Sequence, residues 1–577
     1  MEQRFAVALL LLLTVSITAY HILDKHLLDL HSYEQILNVR RFIEGKEPAG
    51  MTNQLTAAVY SFFSTGEFNP SILLTIAKIL PIVLSALSVV AFYFMLKEMF
   101  SPLASFAGAV LLLSSQAFLL GMRSGVYSPD SLGMCLFIFA CLSLFRSKKN
   151  YLLLALSAVL FILSSLGWSA GWVMVAIVAI SLLLQQLFYP SKKEHSYEAM
   201  VALLASLISY FLTTPTIFTK TSSASPFLPT LPLLVFGFLL FLARLAGKYQ
   251  CKGKLEFFTA SFFILSALLY NFDAFPSSLG IALFSAFSVN ELIAIKEQKA
   301  ILALFSLTIL FVSFEFTQTF LKFEQSLVAS LLIAASSVFI VSLYRDRRID
   351  VYLTFSIILL VLLSSLNTAA LTQIRISDTI GSPVDEMMEW AGELPENSTF
   401  WVFRITPLME FMTGRNCYEN DTEFAQFILS NNSVSFLKER NITHLMIDAS
   451  MFDNIEMMKT YANNTKVRID SFRLYGIQVD QTGNRYAVFV TTDGKVAFAQ
   501  IDPLTNNLME GDVVIYMGEG RRTVPLKKFL RIGNYRLVYP QDNYRVNLFL
   551  LFFENVDGLR EVYNSENQDI KVFEVVG

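Results

Sequence analysis

Long apolar runs fill roughly the first two thirds of the chain, broken by short polar segments. A membrane-spanning helix needs about 20 mostly apolar residues. Such runs are read at 5–22, 71–97, 102–121, 130–146, 150–166, 168–188, 197–213, 226–246, 255–271, 277–293, 299–314, 325–344 and 350–370, thirteen in all. Arg4 ahead of a leucine run gives the first the look of a signal peptide. No small-residue cleavage site precedes the polar stretch, so a retained helix is expected. The fold class predicted is therefore a polytopic α-helical membrane protein.

Basic loops orient the spans. RSKKN (146–150), PSKKEHS (190–196), ARLAGKYQCKGK (243–254) and YRDRRID (344–350) all fall on one side of a thirteen-span count. That side is expected to be cytoplasmic, with the N-terminus. The other side receives 23–70, 122–129, 214–225, YNFDAFPSS (270–278) and everything after about residue 371. The expected location is the cell membrane, with an extracytoplasmic C-terminal domain.

The pattern changes near residue 378. Spans stop, and short β-rich runs appear: FWVFRI (400–405), HLMID (444–448), RYAVFVTT (485–492), DVVIYMG (512–518), VNLFLLFFE (546–554) and IKVFEVV (570–576). Helix-like DTEFAQFILS and SVSFLKER lie between them. The division predicted is 1–370, transmembrane, and 371–577, a mixed α/β domain. The N-x-S/T sequons found, at Asn397, Asn420, Asn431, Asn441 and Asn463, all fall in the second part. Glycans attach only on the extracytoplasmic face.

Composition agrees. Hydrophobic residues make up 54% and charged residues 16%, with a mean hydropathy of +0.52. That excludes an ordinary soluble protein. A net charge of −3 gives no basic face for nucleic acid. The cysteines, Cys135, Cys141, Cys251 and Cys417, form no CxxC pair, and no HExxH occurs, so zinc and a disulfide framework are not indicated.

Candidate chemistry sits at the membrane edge. Asp29 opens the loop after the first span, and Asp130 in RSGVYSPDSLGMCLF opens the fourth. Two carboxylates at the outer mouth of a bundle suit a shared Mn²⁺ or Mg²⁺, which would neutralise a phosphate leaving group. Each is equally readable as a solvated acid at a helix end, Asp130 after Pro129 as a dipole-favoured one. His31 and Glu34 follow in the same loop. Arg40 and Arg41 are candidates for a carrier phosphate or for lipid head groups.

An outer-face Asp after the first span, a second acid opening the fourth, and thirteen spans before an external domain resemble the GT-C glycosyltransferases. More narrowly, the chain is similar to the archaeal oligosaccharyltransferase catalytic subunit. That family moves an oligosaccharide from a dolichyl phosphate or diphosphate carrier to the Asn of an N-x-S/T sequon. DASMFDNI (448–455) fits the family's D-x-x-M-x-x-x-I helix, with Asp448, Met451 and Ile455. The resemblance implies that this face holds the sequon's Ser/Thr. From spacing alone it is also a small amphipathic helix packed on a sheet. GWSAGWVMV (167–175) and the terminal IKVFEVV are similar to the family as well. The implied partners are a lipid-linked oligosaccharide and an acceptor polypeptide.

The chain also departs from the family. Where a W-W-D-Y-G motif is expected, counting back from TGRN (413–416) gives VFRIT (402–406). Trp401 stands beside it, but Arg404 fills the slot of the acid, and an Arg cannot accept a hydroxyl's hydrogen bond. Leu132 stands where a further acid or His follows Asp130. Glu315, in FVSFEFTQ, resembles the family's acceptor-binding Glu but falls two spans later in the count. Two alternatives stay open: a GT-C transferase using polyprenyl-phosphate monosaccharides, and a non-catalytic homologue. No internal repeat or pair of broken helices suggests a transporter.

Overall fold

A computed structural model of the chain describes residues 3–46, 50–64, 68–147, 150–168, 170–188, 194–212, 230–245, 256–268, 274–294, 298–318, 323–343, 349–375, 382–402, 405–420, 423, 433–448, 472–491, 496–501, 512–517, 520–525, 538–539, 558–565 and 570–576. It divides into two compact units, Met1–Thr379 and Ile380–Gly577.

The first unit is helical. Its elements are α1 (Gln3–Thr18), α2 (Leu30–Ile43), α3 (Met51–Phe63), α4 (Pro70–Lys97), α5 (Pro102–Leu113), α6 (Gln116–Met122), α7 (Ser131–Arg146) and α8 (Tyr151–Gly167). They continue with α9 (Gly171–Phe188), α10 (Glu194–Leu212), α11 (Leu231–Leu245), α12 (Glu256–Leu268), α13 (Ala274–Ala294), α14 (Gln298–Gln318), α15 (Phe323–Leu343) and α16 (Ile349–Arg375). Among the described residues, four helices are long and apolar enough to cross a membrane, in α4, α9, α13 and α16; the bent pair α5–α6 makes a fifth. Eight further helices contribute shorter apolar stretches of 10–17 described residues. Together they occupy the thirteen predicted runs, one for each.

Two features differ from the sequence reading. The run 102–121 is not one straight span but bends by 65° between α5 and α6. Two serines break the ladder there. Ser114 Oγ donates back to the Val110 carbonyl at 2.8 Å, and Ser115 Oγ accepts the Phe118 amide at 3.2 Å, capping α6. The second difference is in the polar stretch 23–70, read as a loop, which holds α2 and α3. Helix α2 buries Ser32, Tyr33, Ile36, Leu37 and Val39, a single stripe at helical spacing.

Aromatic packing fixes α7 against its neighbours. Phe137 lies 5.8 Å from Phe161 and 5.9 Å from Trp168, ring centre to ring centre. Trp168 meets Phe275 edge-on at 5.4 Å, and Phe275 reaches Phe118 at 6.1 Å. Such pairs add about 0.5–1.5 kcal/mol each beyond the area they bury. They join α6, α7, α8 and α13 beneath one end of the unit. Gly133, on the first turn of α7, makes the closest approach: a Cβ there would lie 2.5 Å from Trp168 Cβ and 2.6 Å from the Gly167 carbonyl carbon.

The second unit begins with α17 (Ser382–Gly392) and carries two sheets. The strands are β1 (Thr399–Trp401), β2 (Asn416–Tyr418), β3 (His444–Asp448), β4 (Phe472–Val479), β5 (Arg485–Thr491), β6 (Val496–Ile501), β7 (Asp512–Met517), β8 (Gly520–Pro525), β9 (Val538–Tyr539), β10 (Leu559–Asn564) and β11 (Ile570–Val575). One sheet runs β10-β11-β3-β1-β2, the other β8-β7-β6-β5-β4-β9. In the first, β1 pairs parallel with β2 and β3, and β11 antiparallel with β3. Helix α18 (Thr406–Thr413) crosses from β1 to β2 and stops at Gly414, whose φ of 70° supplies the left-handed cap. This is the TGRN turn. Five of the six predicted β-runs coincide with strands; VNLFLLFFE lies outside the described residues.

Candidate active site

The two predicted acids sit at the starts of α2 and α7, and hydrogen bonds zip the segments that carry them. The Ser124 amide donates to the Thr18 carbonyl and the Leu28 amide to the Gly125 carbonyl, both at 2.7 Å. Gly125 adopts φ +83°, and a Cβ there would press on Leu28 at 2.8 Å, so glycine is required on both counts. The chain from residue 18 to Asp29 therefore lies along the turn that leads into Asp130.

Asp29 is half-buried and caps α2: its Oδ1 accepts the Ser32 amide at 2.6 Å. The cap satisfies one open amide of the first turn and places the carboxylate in the positive field of the helix end. Asp130, also half-buried, occupies the same position on α7 but does not cap it with its side chain. Its own amide donates to Ser128 Oγ at 3.3 Å. Leu132 follows on the first turn of α7 and supplies no ligand.

A cation missed by the sequence reading interacts with Asp29. Arg123 ends α6, seven residues before Asp130, and is buried. Burial pushes its guanidinium down to about 10, and the charge of Asp29 acts against that shift. Arg123 thus stays charged at neutral pH and faces Asp29 electrostatically. The readable signal was an Arg in the turn between two apolar runs, seven residues ahead of Asp130. A second missed group is Lys78, a buried lysine inside the long apolar run of α4. An ionisable residue within a span is a site candidate by default. Its Nζ reaches back to donate to the Asp24 carbonyl, while His21 Nδ1 pairs with Asp24 Oδ2 at 2.7 Å.

The other candidates are placed as follows. His31 and Glu34 pair with each other at 3.1 Å, both well exposed. Arg40 pairs with Glu44 at 2.8 Å and covers the Phe68 ring at 4.8 Å. Arg41 is half-buried on the last turn of α2. Burial tends to raise the Glu44 carboxyl, but hydrogen bonds from Lys46 and Arg40 outweigh it and hold it below the usual range. Glu315 lies on α14. In the second unit Trp401 is fully buried on β1, 5.5 Å from Tyr418 and 6.0 Å from Phe436. Asp448 ends β3. Met451, Ile455 and Arg404 lie outside the described residues.

Among the described residues, no three or more His, Cys, Asp or Glu side chains gather as a metal cluster. The acids that head α2 and α7 offer hard carboxylate oxygens, and Asp29 spends one on its cap. That set fits a Mg²⁺- or Mn²⁺-type ion, which keeps waters and takes phosphate oxygens beside one or two carboxylates. Two carboxylates do not make the closed four-donor N or S set of a structural zinc site.

No family profile matches the chain, and no curated protein matches it in sequence. Solved structures do match. The oligosaccharyltransferase of Archaeoglobus fulgidus in its apo form aligns with a TM-score of 0.56 at 10% identity, over 98% of this chain and 80% of that one. The same protein tethered to an acceptor peptide containing an NVT sequon aligns at 0.52 and 12%, over 97% and 79%. The archaeal oligosaccharyltransferase AglB from that organism, with an inhibitory peptide and a dolichol-phosphate, aligns at 0.50 and 12%, over 97% and 79%. The chain therefore has the fold of the archaeal oligosaccharyltransferase, a polytopic helical unit followed by a mixed α/β unit, as its sequence resemblance implies.

Proposed function

We propose that the chain is a membrane glycosyltransferase that moves an oligosaccharide from a dolichyl phosphate or diphosphate carrier to the Asn of an N-x-S/T acceptor at the extracytoplasmic membrane face. The observation that carries this reading is the zipped turn: Asp29 and Asp130, far apart in sequence, head two helices whose leading segments are hydrogen-bonded together, inside this fold. The fold's relatives were solved with a sequon peptide and with dolichol-phosphate, which supports both partner classes.

Asp29 and Asp130 would hold the Mn²⁺ or Mg²⁺. When bound, that ion supplies a Lewis acid for the departing phosphate. The side chains have separate work. The Asp29 carboxylate keeps one oxygen on the Ser32 amide, which fixes its direction, and turns the other toward the acceptor amide N–H. Arg123 holds a compensating charge beside it in a dry setting, where electrostatic terms are larger than in water. Arg40 and Arg41, on the far end of α2, are candidates for the carrier's charge. Inverting attack by the amide nitrogen on the anomeric carbon forms the C–N bond as the C–O bond to phosphate breaks, and the amide proton passes to the Asp29 carboxylate that accepts its hydrogen bond.

Arg404 in place of the expected acid favours a second reading, in which the donor is a polyprenyl-phosphate monosaccharide and acceptor recognition differs. Purified protein given labelled lipid-linked oligosaccharide and an N-x-T peptide, with and without Mn²⁺, separates the two. Metal-dependent glycopeptide supports the first reading. Transfer only from a monosaccharide donor supports the second. No transfer from either donor identifies a non-catalytic homologue.

A further inference from the structure

Tyr127 is fully buried in the turn between α6 and α7, and it touches every segment that carries the two acids. Its backbone amide donates to Ser32 Oγ at 2.8 Å, and Ser32 is the residue whose own amide is capped by Asp29. Its hydroxyl lies 2.6 Å from Thr56 Oγ1 and 3.0 Å from Asn53 Oδ1, with the Thr52 carbonyl at 3.3 Å. Thr52, Asn53 and Thr56 form the first two turns of α3, all buried. Thr52 Oγ1 in turn donates to the Pro129 carbonyl, directly before Asp130. Asn53 extends the network to Gln35 of α2, at 3.5 Å.

Resting on the proposed function, we propose that Tyr127 is a positioning residue: it clamps α2, α3 and the approach to α7 into one unit and so sets the separation of Asp29 and Asp130. Each acid heads its own helix, Asp29 on α2 and Asp130 on α7. Asp29 is held through Ser32, and Asp130 through Pro129 and Thr52. The first route ends on the Tyr127 backbone amide and the second on its hydroxyl. Burial raises the phenol above its ordinary range, with a smaller opposing effect from Thr56. The hydroxyl therefore stays protonated and keeps donating to α3 at any working pH.

Partners that orient metal ligands typically contribute about 10–100-fold in metal affinity. The test uses the full-length chain in lipid nanodiscs as wild type, Tyr127→Phe and Ser32→Ala. Mn²⁺ affinity is read by electron paramagnetic resonance, and amide hydrogen exchange is followed over residues 26–36 and 126–134. Tyr127→Phe keeps the backbone amide on Ser32 but loses the hydroxyl bonds to α3. It is expected to keep its thermal midpoint within a few degrees, to bind Mn²⁺ about tenfold more weakly and to lose protection over residues 126–134. Ser32→Ala, which leaves the Asp29 cap in place, moves affinity the same way. Wild-type Mn²⁺ affinity and wild-type protection over residues 126–134 in Tyr127→Phe overturn the clamp. A wild-type chain with no Mn²⁺ affinity overturns the proposed function instead, and the exchange result then decides the clamp alone.

Discussion

Replacing Gly133 by alanine tests how tightly the start of α7 is set. The added methyl would lie 2.5 Å from Trp168 Cβ, 2.6 Å from the Gly167 carbonyl carbon and 2.7 Å from its oxygen. Two of those atoms are backbone, and the third belongs to a buried tryptophan wedged between Phe137 and Phe275. Ordinary contact begins near 3.4 Å, so the helices must part by roughly 1 Å, an overpacking that typically costs about 1–3 kcal/mol. Asp130 lies one helical turn before Gly133 and moves with it. A misplacement of about 1 Å at a reacting centre is enough for a rate loss of about 10². The assay is thermal unfolding together with glycopeptide formation. Gly121→Ala serves as the control, because its Cβ would meet only the Met134 side chain, Sδ at 3.6 Å and Cε at 3.8 Å. Gly133→Ala with the midpoint and rate of the control would refute the reasoning.

Other outcomes follow from the same structure. Asp29→Asn keeps a cap acceptor for the Ser32 amide and should lose less stability than Asp29→Ala, which gives up about 1 kcal/mol of capping as well, measured by denaturant unfolding. Glu34→Gln, which breaks only an exposed pair with His31, should leave transfer within about twofold, since such pairs contribute little. Burial holds the His444 imidazole below its ordinary range, against an opposing effect from Glu574. Protonation then favours the unfolded state, so stability present above about pH 6.5 is lost as pH falls. His444→Phe should flatten that decline, followed through the fluorescence of Trp390, 6.2 Å away. A reporter fused after residue 577 should be active only outside the cytoplasm, and one in PSKKEHS only inside.

Sequence pattern went furthest where one physical signal dominates. Each of the thirteen apolar runs became a helix or a bent helix pair, because apolar length in a membrane leaves the backbone no other way to satisfy its hydrogen bonds. It failed at Ser114 and Ser115, where local side-chain bonds bend a run whose hydropathy never falls. It also passed over α2, whose mixed stripe of Tyr33, Ile36 and Val39 is too polar to register as a span, although Asp29 ahead of it is a readable cap. In the second unit β5, β7 and β11 showed as β-branched and aromatic runs, while β8, GRRTVP, did not, since its place comes from pairing with β7. The acids could be named from sequence, but not what holds them. Arg123, Tyr127 and Lys78 act through contacts across 54 to 95 positions, from Lys78 to Asp24 and from Tyr127 to Ser32, and no local pattern encodes those.

The central claim is that Asp29 and Asp130 jointly serve one divalent ion at the carrier phosphate. Turnover of lipid-linked glycan across a Mn²⁺ titration, compared among wild type, Asp29→Asn and Asp130→Asn, tests it directly. Loss of charge stabilisation of this kind costs about 10²–10³ in rate, so both variants should remain folded and nearly inactive even at saturating metal. Near-normal transfer by either variant at saturating Mn²⁺ would contradict the claim.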